Sequence, residues 1–85
     1  MKIIYSSKFE RQYRKLSVEL KTVAKRKEKA FRLNLSNPSL ETHKLSGKLQ
    51  EFWAFSIDYK NRIIFEFGED DILLFHSIGD HDIYK

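Results

Sequence analysis

Three histidines, His43, His76 and His81, are the side chains of this 85-residue sequence whose ordinary pKa lies near neutrality. Imidazoles can exchange protons with oxygen nucleophiles and leaving groups, or they can ligate a metal. The intervals between these three match no recognisable zinc motif, so no structural metal is expected. Cysteine is absent, which excludes disulfide frameworks and thiolate chemistry. Cations dominate the remaining charge: 16 Lys and Arg against 12 Asp and Glu give +4 and a pI near 9.4. Such a field favours an anionic partner, either nucleic acid or an acidic protein. Arg62 opens an apolar stretch, Ile63 to Phe65, and its planar guanidinium suits two oxygens of one phosphate at once.

These groups must be held by a small core. A chain of this length hides only about 60 to 65% of its unfolded surface, and the seven Phe, four Tyr and one Trp supply large buried areas per residue. Lys2 to Ser6 reads as a strand. Ser7 is expected to cap a helix with Phe9, Tyr13 and Leu16 on one face and Lys8, Arg11, Arg14 and Lys15 on the other. Ser17 offers a second cap, for a helix from Val18 to about Leu35 whose apolar face carries Leu20, Val23, Ala24, Phe31 and Leu35. Its charged run spans Lys25 to Lys29. Asn37-Pro38 should end this helix, because the residue before Pro is pushed out of the helical region, and a loop follows from Ser39 to Gly47.

Beyond Gly47 the period changes to two. Trp53, Phe55 and Ile57 alternate with Phe52, Ala54 and Ser56. Ile63, Phe65 and Phe67 alternate with Arg62, Ile64 and Glu66, and Ile72, Leu74, His76 and Ile78 alternate with Leu73, Phe75 and Ser77. Residues 58–61 and 68–71 read as the connecting turns. The pattern predicts one α+β domain over residues 1–85, in the order β-α-α-β-β-β, with a helix hairpin packed on one face of an antiparallel sheet. Pleat parity sets Arg62 with Ile64 and Glu66, away from the helix-covered core, and sets His76 in that core with Ile72, Leu74 and Ile78 as a hydrogen-bonded buried histidine. No apolar run suits a membrane span or signal peptide, so a cytoplasmic location is expected.

The order of these elements, together with His43-Lys44-Leu45-Ser46-Gly47, Trp53, Asn61-Arg62-Ile63-Ile64-Phe65 and Ser77-Ile78-Gly79-Asp80-His81-Asp82-Ile83-Tyr84, resembles the RelE/ParE toxin superfamily. The resemblance covers nearly the whole chain and implies a RelE-like microbial RNase fold. It also implies the toxin of a type II toxin-antitoxin module. In that superfamily the RelE, YoeB and YafQ branches cut mRNA on the ribosome without a metal or other cofactor, whereas the ParE branch inhibits DNA gyrase. The implied partners are a cognate antitoxin, mRNA and the ribosome, with no membrane.

The resemblance assigns roles residue by residue. Arg62 matches the family arginine that stabilises the charge growing on the phosphorane. His81, after the Ile-Gly pair, is the candidate general acid, with a base role open; parity with Phe75, Ser77 and Gly79 would continue the face of Arg62. Tyr84 matches a C-terminal aromatic able to stack on a base or hydrogen-bond the 2′-OH, and Asp82 either orients His81 or is solvated. His43 and Lys44, with Lys48 nearby, are candidate substrate contacts. Arg11, Arg14, Lys25 and Lys29 are candidate contacts to ribosomal RNA or to an acidic antitoxin segment. Where RelE-type enzymes alternate two lysines on the strand before the arginine, this chain has Ala54 and Ser56, so the set is closer to the histidine-based YoeB or YafQ pattern. Two alternatives stay open: a ParE-like gyrase inhibitor, and a degenerate homologue that only binds its antitoxin.

Overall fold

The computed structural model describes residues 1–80 and 83. β1 (Lys2–Tyr5) leads through Ser6 into α1 (Ser7–Arg14), and α2 (Val18–Leu33) follows. A 3-10 turn at Pro38–Leu40 precedes β2 (His43–Lys44), and another at Gly47–Leu49 precedes β3 (Trp53–Ser56). β4 (Arg62–Phe67) and β5 (Ile72–Gly79) complete the sheet. Its order is β1-β5-β4-β3-β2, an α+β architecture with β3, β4 and β5 as the expected antiparallel meander.

Two features depart from the expectation. The segment read as a loop holds the short β2, antiparallel to β3, and the sheet is mixed rather than antiparallel, because β1 lies parallel to β5. A parallel pair has no connecting turn to announce it, and here most of the chain lies between the two strands.

Local side-chain bonds set the helix ends. Ser6 rather than Ser7 caps α1, its hydroxyl accepting from the Phe9 N–H at 2.9 Å, and Ser17 accepts from the Leu20 N–H at 3.1 Å to cap α2. Glu10 and Glu19 in the first turns, with Arg14 and Arg32 in the last, suit the two helix dipoles. α2 stops earlier than expected, at Leu33. Asn34 turns extended and its side chain accepts from the Ser36 N–H, a local bond that competes with helix continuation. Asn37 caps the following turn, which Pro38 opens.

Both helices cover one face of the sheet. Phe9, Ala24 and Phe31 meet Phe55, Ile57, Ile63, Phe65, Leu73, Phe75 and Ile78 in one apolar cluster. Phe31 stacks on Phe55 with centroids 4.3 Å apart and meets Phe65 edge-on at 5.0 Å. β3 and β4 deliver these residues by strict alternation, but β5 does not. Phe75 pairs with Phe65 while Ser77 pairs with Ile64, which leaves His76 as an extra residue, a β-bulge. Leu73, Phe75 and Ile78 therefore reach the core, whereas Ile72, Leu74 and His76 are only half-buried. The expected core position of His76 is corrected accordingly: with Leu73 and Phe75 in the core, alternation turns His76 to the face away from the helices, and the bulge sets Ser77 beside it there. Of the three residues grouped with the Arg62 face, Phe75 lies in the core while Ser77 and Gly79 share that face.

α1 supports the bulge. β1 ends opposite Phe75, and beyond that point Ser6 N–H donates to the Phe75 carbonyl (3.0 Å), Ser6 Oγ donates to the His76 carbonyl (2.7 Å), and Ile78 N–H donates to Gln12 Oε1 (2.9 Å). Each of these backbone groups, left open where the parallel strand stops, has a partner from the helix side. Among the described residues no helix is long and apolar enough to cross a membrane.

Candidate functional site

Strand register lays out the face away from the helices. One row crosses four strands as His43, Ala54, Ile64 and Ser77, and the next holds Ser56, Arg62 and Gly79. On the other side of the first row lie Glu66, Leu74 and Ile4. Although no helix covers this face, Ala54 and Ser77 are 0% exposed and Ile64 is 1% exposed. Longer side chains provide the cover. The rings of Phe52 and His76 meet at 4.9 Å, yet they spring from beside β3 and from β5, two strand spacings or roughly 9.6 Å apart. Both must lean over β4, where register puts them as a roof above the stretch from Ile64 to Glu66.

Arg62 sits half-exposed at the start of β4, opposite Ser56 and Gly79. Neither Glu66 nor Asp58 forms an ion pair with it, and its guanidinium donates to the carbonyls of Asp58 and Asn61 at 3.5 Å. The Asp58 carboxylate is occupied by the turn, accepting from the Lys60 and Asn61 N–H groups and the Asn61 amide. Burial pushes this carboxyl up, but those hydrogen bonds and the nearby Arg62 charge outweigh it and hold the pKa below the usual value. The side chains at the two lysine positions of RelE-type enzymes, Ala54 and Ser56, are buried on this face, so they add no charge beside Arg62.

Gly79, across from Arg62, has a packing reason. A Cβ there would lie 2.7 Å from Ile83 Cγ2, and Ile83 N–H donates to the Asp80 carbonyl at 3.1 Å. The chain thus turns back after β5 with Ile83 against the strand end. His81, Asp82 and Tyr84 fall outside the described residues.

The other expected contacts separate. His43 lies on the Arg62 side, two strands across and two residues along, roughly 12 Å away. Its Nδ1 is 2.9 Å from the Glu41 carbonyl; a carbonyl only accepts, so Nδ1 carries the proton and a neutral ring offers Nε2 as an acceptor. Lys44 pairs with Trp53 and shares its side, so His43 and Lys44, expected to act together, diverge to opposite faces. Lys48 is exposed in the turn that Gly47 opens at φ +68°, a left-handed value suited to glycine. On the helix side, Arg14 and Lys25 border a cleft of about 410 Å³ lined by Tyr5, Phe9, Tyr13 and Glu28, while Arg11 and Lys29 are exposed outside that lining. The buried Tyr13 hydroxyl has no hydrogen-bond partner among the described residues.

Sequence reasoning missed Phe52 and His76 as a ring pair on the same face as Arg62. The available signal was the consecutive polar pair His76-Ser77 inside an otherwise apolar strand. Burial lowers the His76 pKa below its ordinary value, the Lys8 ammonium adds to this, and Glu66 opposes it. Among the described residues, no three His, Asp or Glu side chains gather into a metal-binding group.

No protein-family model matches the sequence, and no curated protein matches it either. Solved structures do. A YoeB/ParE toxin from Agrobacterium tumefaciens superposes with a TM-score of 0.78 at 13% identity, over 95% of this chain and 99% of that one. YafQ from E. coli gives 0.64 at 17% identity, over 96% and 94%. A chain of the toxin-antitoxin complex RelBE2 from Mycobacterium tuberculosis gives 0.69 at 10% identity, over 94% and 96%. Across nearly its whole length the chain therefore shares the fold of these toxin structures.

Proposed function

We propose that this protein is the toxin of a type II toxin-antitoxin module and acts as a ribosome-dependent mRNA endoribonuclease. The observation that carries the reading is Arg62, a half-exposed guanidinium on the helix-free face, paired with neither Asp58 nor Glu66. In the reaction a base removes the proton of a ribose 2′-OH, the 2′-oxygen bonds to the adjacent phosphorus, and the P–O5′ bond breaks. A cyclic phosphate remains and the departing 5′-oxygen takes a proton from an acid. Arg62 holds the charge that develops on the phosphorane oxygens, His81 gives the proton to the 5′-oxygen, and Tyr84 contacts the attacking nucleotide. His43, too far from Arg62 to share its phosphate, contacts a neighbouring nucleotide together with Lys48. These steps use side chains alone, so treating the purified toxin with EDTA and removing the chelator before ribosomes are added should leave cleavage unchanged.

Arg11, Arg14, Lys25 and Lys29 serve the partners, binding ribosomal RNA phosphates or an acidic antitoxin segment. The cleft bordered by Arg14 and Lys25 supplies apolar wall for the side chains of such a segment, and ribosome binding should weaken steeply with salt. Primer extension on cellular mRNA after brief induction tests the reading: new 5′ ends within coding regions are expected with the wild type and not with Arg62→Ala. Ala54 and Ser56 at the lysine positions favour a second reading, a ParE-like gyrase inhibitor. Growth arrest without new mRNA ends, with loss of supercoiling by purified gyrase, would select it.

A further inference from the structure

The roof over Ile64 has the geometry of a binding site. Nδ1 of His76 lies 3.0 Å from Ser77 Oγ, and Ser77 is fully buried. The Ser77 hydroxyl has no other hydrogen-bond partner among the described residues. If it accepted from an Nδ1–H, its own proton would be stranded in the interior. The hydroxyl therefore donates to Nδ1, and the neutral imidazole carries its hydrogen at Nε2, on the side of the ring away from this buried contact. Protonating Nδ1 would break the bond, which acts in the same direction as burial and Lys8 and against Glu66, the charged groups acting on the ring from α1 and β4. His76 is thus a neutral donor at pH 7, its ring inclined at 52° to that of Phe52 with centroids 4.9 Å apart. The bulge that places it here is held on the other side by Ser6.

We propose that Phe52 and His76 form a nucleobase-binding site: a base of single-stranded RNA lies against the outer side of this ring pair, and Nε2–H donates to an acceptor on its edge. Purine N7 and N3 and pyrimidine O2 are acceptors of the right kind. His76 and Arg62 lie on adjacent strands and roughly 10 Å apart by register, a span that joins a base to a nearby phosphate. Aromatic side chains bind bases this way with little demand on sequence, and one added donor gives a preference. The inference rests on the RNA reading above and names the part of the same face that would select the nucleotide.

Two measurements test it separately from that reading. Labelled wild-type protein is titrated with trinucleotides carrying deoxyribose at the scissile position, one for each central base, while the His76 ring signals are followed by NMR. Saturable shifts with a subset of the four are expected, weakened about tenfold by Phe52→Leu, which keeps the roof over Ile64; in His76→Ala, which lacks the ring reporter, the Ile64 and Ser77 amide signals are followed instead and should show no saturable shift. Cut sites on ribosome-bound mRNA are then mapped: Phe52→Leu and His76→Ala should cut about tenfold less and with the base preference flattened. If His76→Ala fails to fold, Phe52→Leu carries the comparison. Binding at the His76 ring by a wild type that does not cleave would uphold this site and sink the nuclease reading. Unmoved ring signals with all four trinucleotides, or cleavage by folded variants with the wild-type preference intact, would overturn the site and leave the nuclease reading standing.

Discussion

On the helix-covered face, Phe31, Phe55, Phe65 and Phe75 fill the interior ring against ring. On the other face a floor of Ala54, Ile64 and Ser77 is just as thoroughly hidden, but by two rings arching over it and by the long side chains around them. One face is buried by volume and the other by a roof. The first cannot change without leaving a cavity in a close-packed interior. On the proposal above, the second takes a ligand on the outer side of its cover, because Phe52 and His76 are only half-buried. On that proposal stability and binding fall on opposite sides of one thin sheet, and the site does not open the core.

Substitutions at the core rings should give the largest effects. Phe55→Ala is expected to cost about 3–5 kcal/mol, a large part of the total for a small domain, and urea unfolding should show the midpoint collapse. A cost under ~1 kcal/mol would mean that the two faces do not differ as described. Next comes Arg62→Ala, which should lower mRNA cleavage by about 10²–10³-fold while moving the unfolding free energy by no more than ~0.5 kcal/mol. Arg62→Lys should recover only part of the activity, since an ammonium lacks the two-pronged contact. Unfolding of Arg62→Ala would show that site and core cannot be separated.

Smaller effects probe the join between the faces. Gln12→Ala strands the Ile78 N–H and should cost about 1–3 kcal/mol, with faster amide exchange at Ile78, whereas Gln12→Glu keeps an acceptor and should stay near wild type at neutral pH. The smallest effect is the pH dependence of the roof. The folded-state pKa of His76 lies below the ordinary 6.5, so the unfolded chain binds more protons between the two values and stability rises with pH there. This contribution is complete above pH 6.5 and is lost as the pH falls through the folded value. Ser77→Ala, which frees Nδ1 to accept a proton, should bring the His76 titration closer to the ordinary value and flatten the slope; unfolding midpoints between pH 5 and 7.5 and an NMR titration of the ring would measure both.

Legibility in the sequence followed the range of the interactions involved. The face of Arg62 could be read because Ile63 and Phe65 alternate with it along β4 without interruption, and the serine and asparagine signals gave both helices to within a residue or two. β5 was misread because Ile72 to Phe75 is apolar at every position, so the alternation carried no phase, and because the bulge at His76 moves two consecutive side chains to one face. Lys44 and His43 look like one contact in the sequence because β2, which turns them to opposite faces, is too short to show an alternation of its own.

The amino-acid sequence by itself determined what local chemistry can determine: helices from caps and apolar spacing, the meander from period two and its turns, a phosphate-binding type of side chain at the head of β4, and an excess of cations. Only the tertiary structure decided that β1 lies parallel to β5, that α1 lends Ser6 and Gln12 to the open edge beyond it, and that His76 therefore leaves the core to join Phe52 above Ile64. These outcomes depend on pairings between residues up to 70 positions apart in the chain. Such pairings leave no periodicity in a sequence, since the bulge is stabilised not by its neighbours along the strand but by a helix cap from the other end of the molecule.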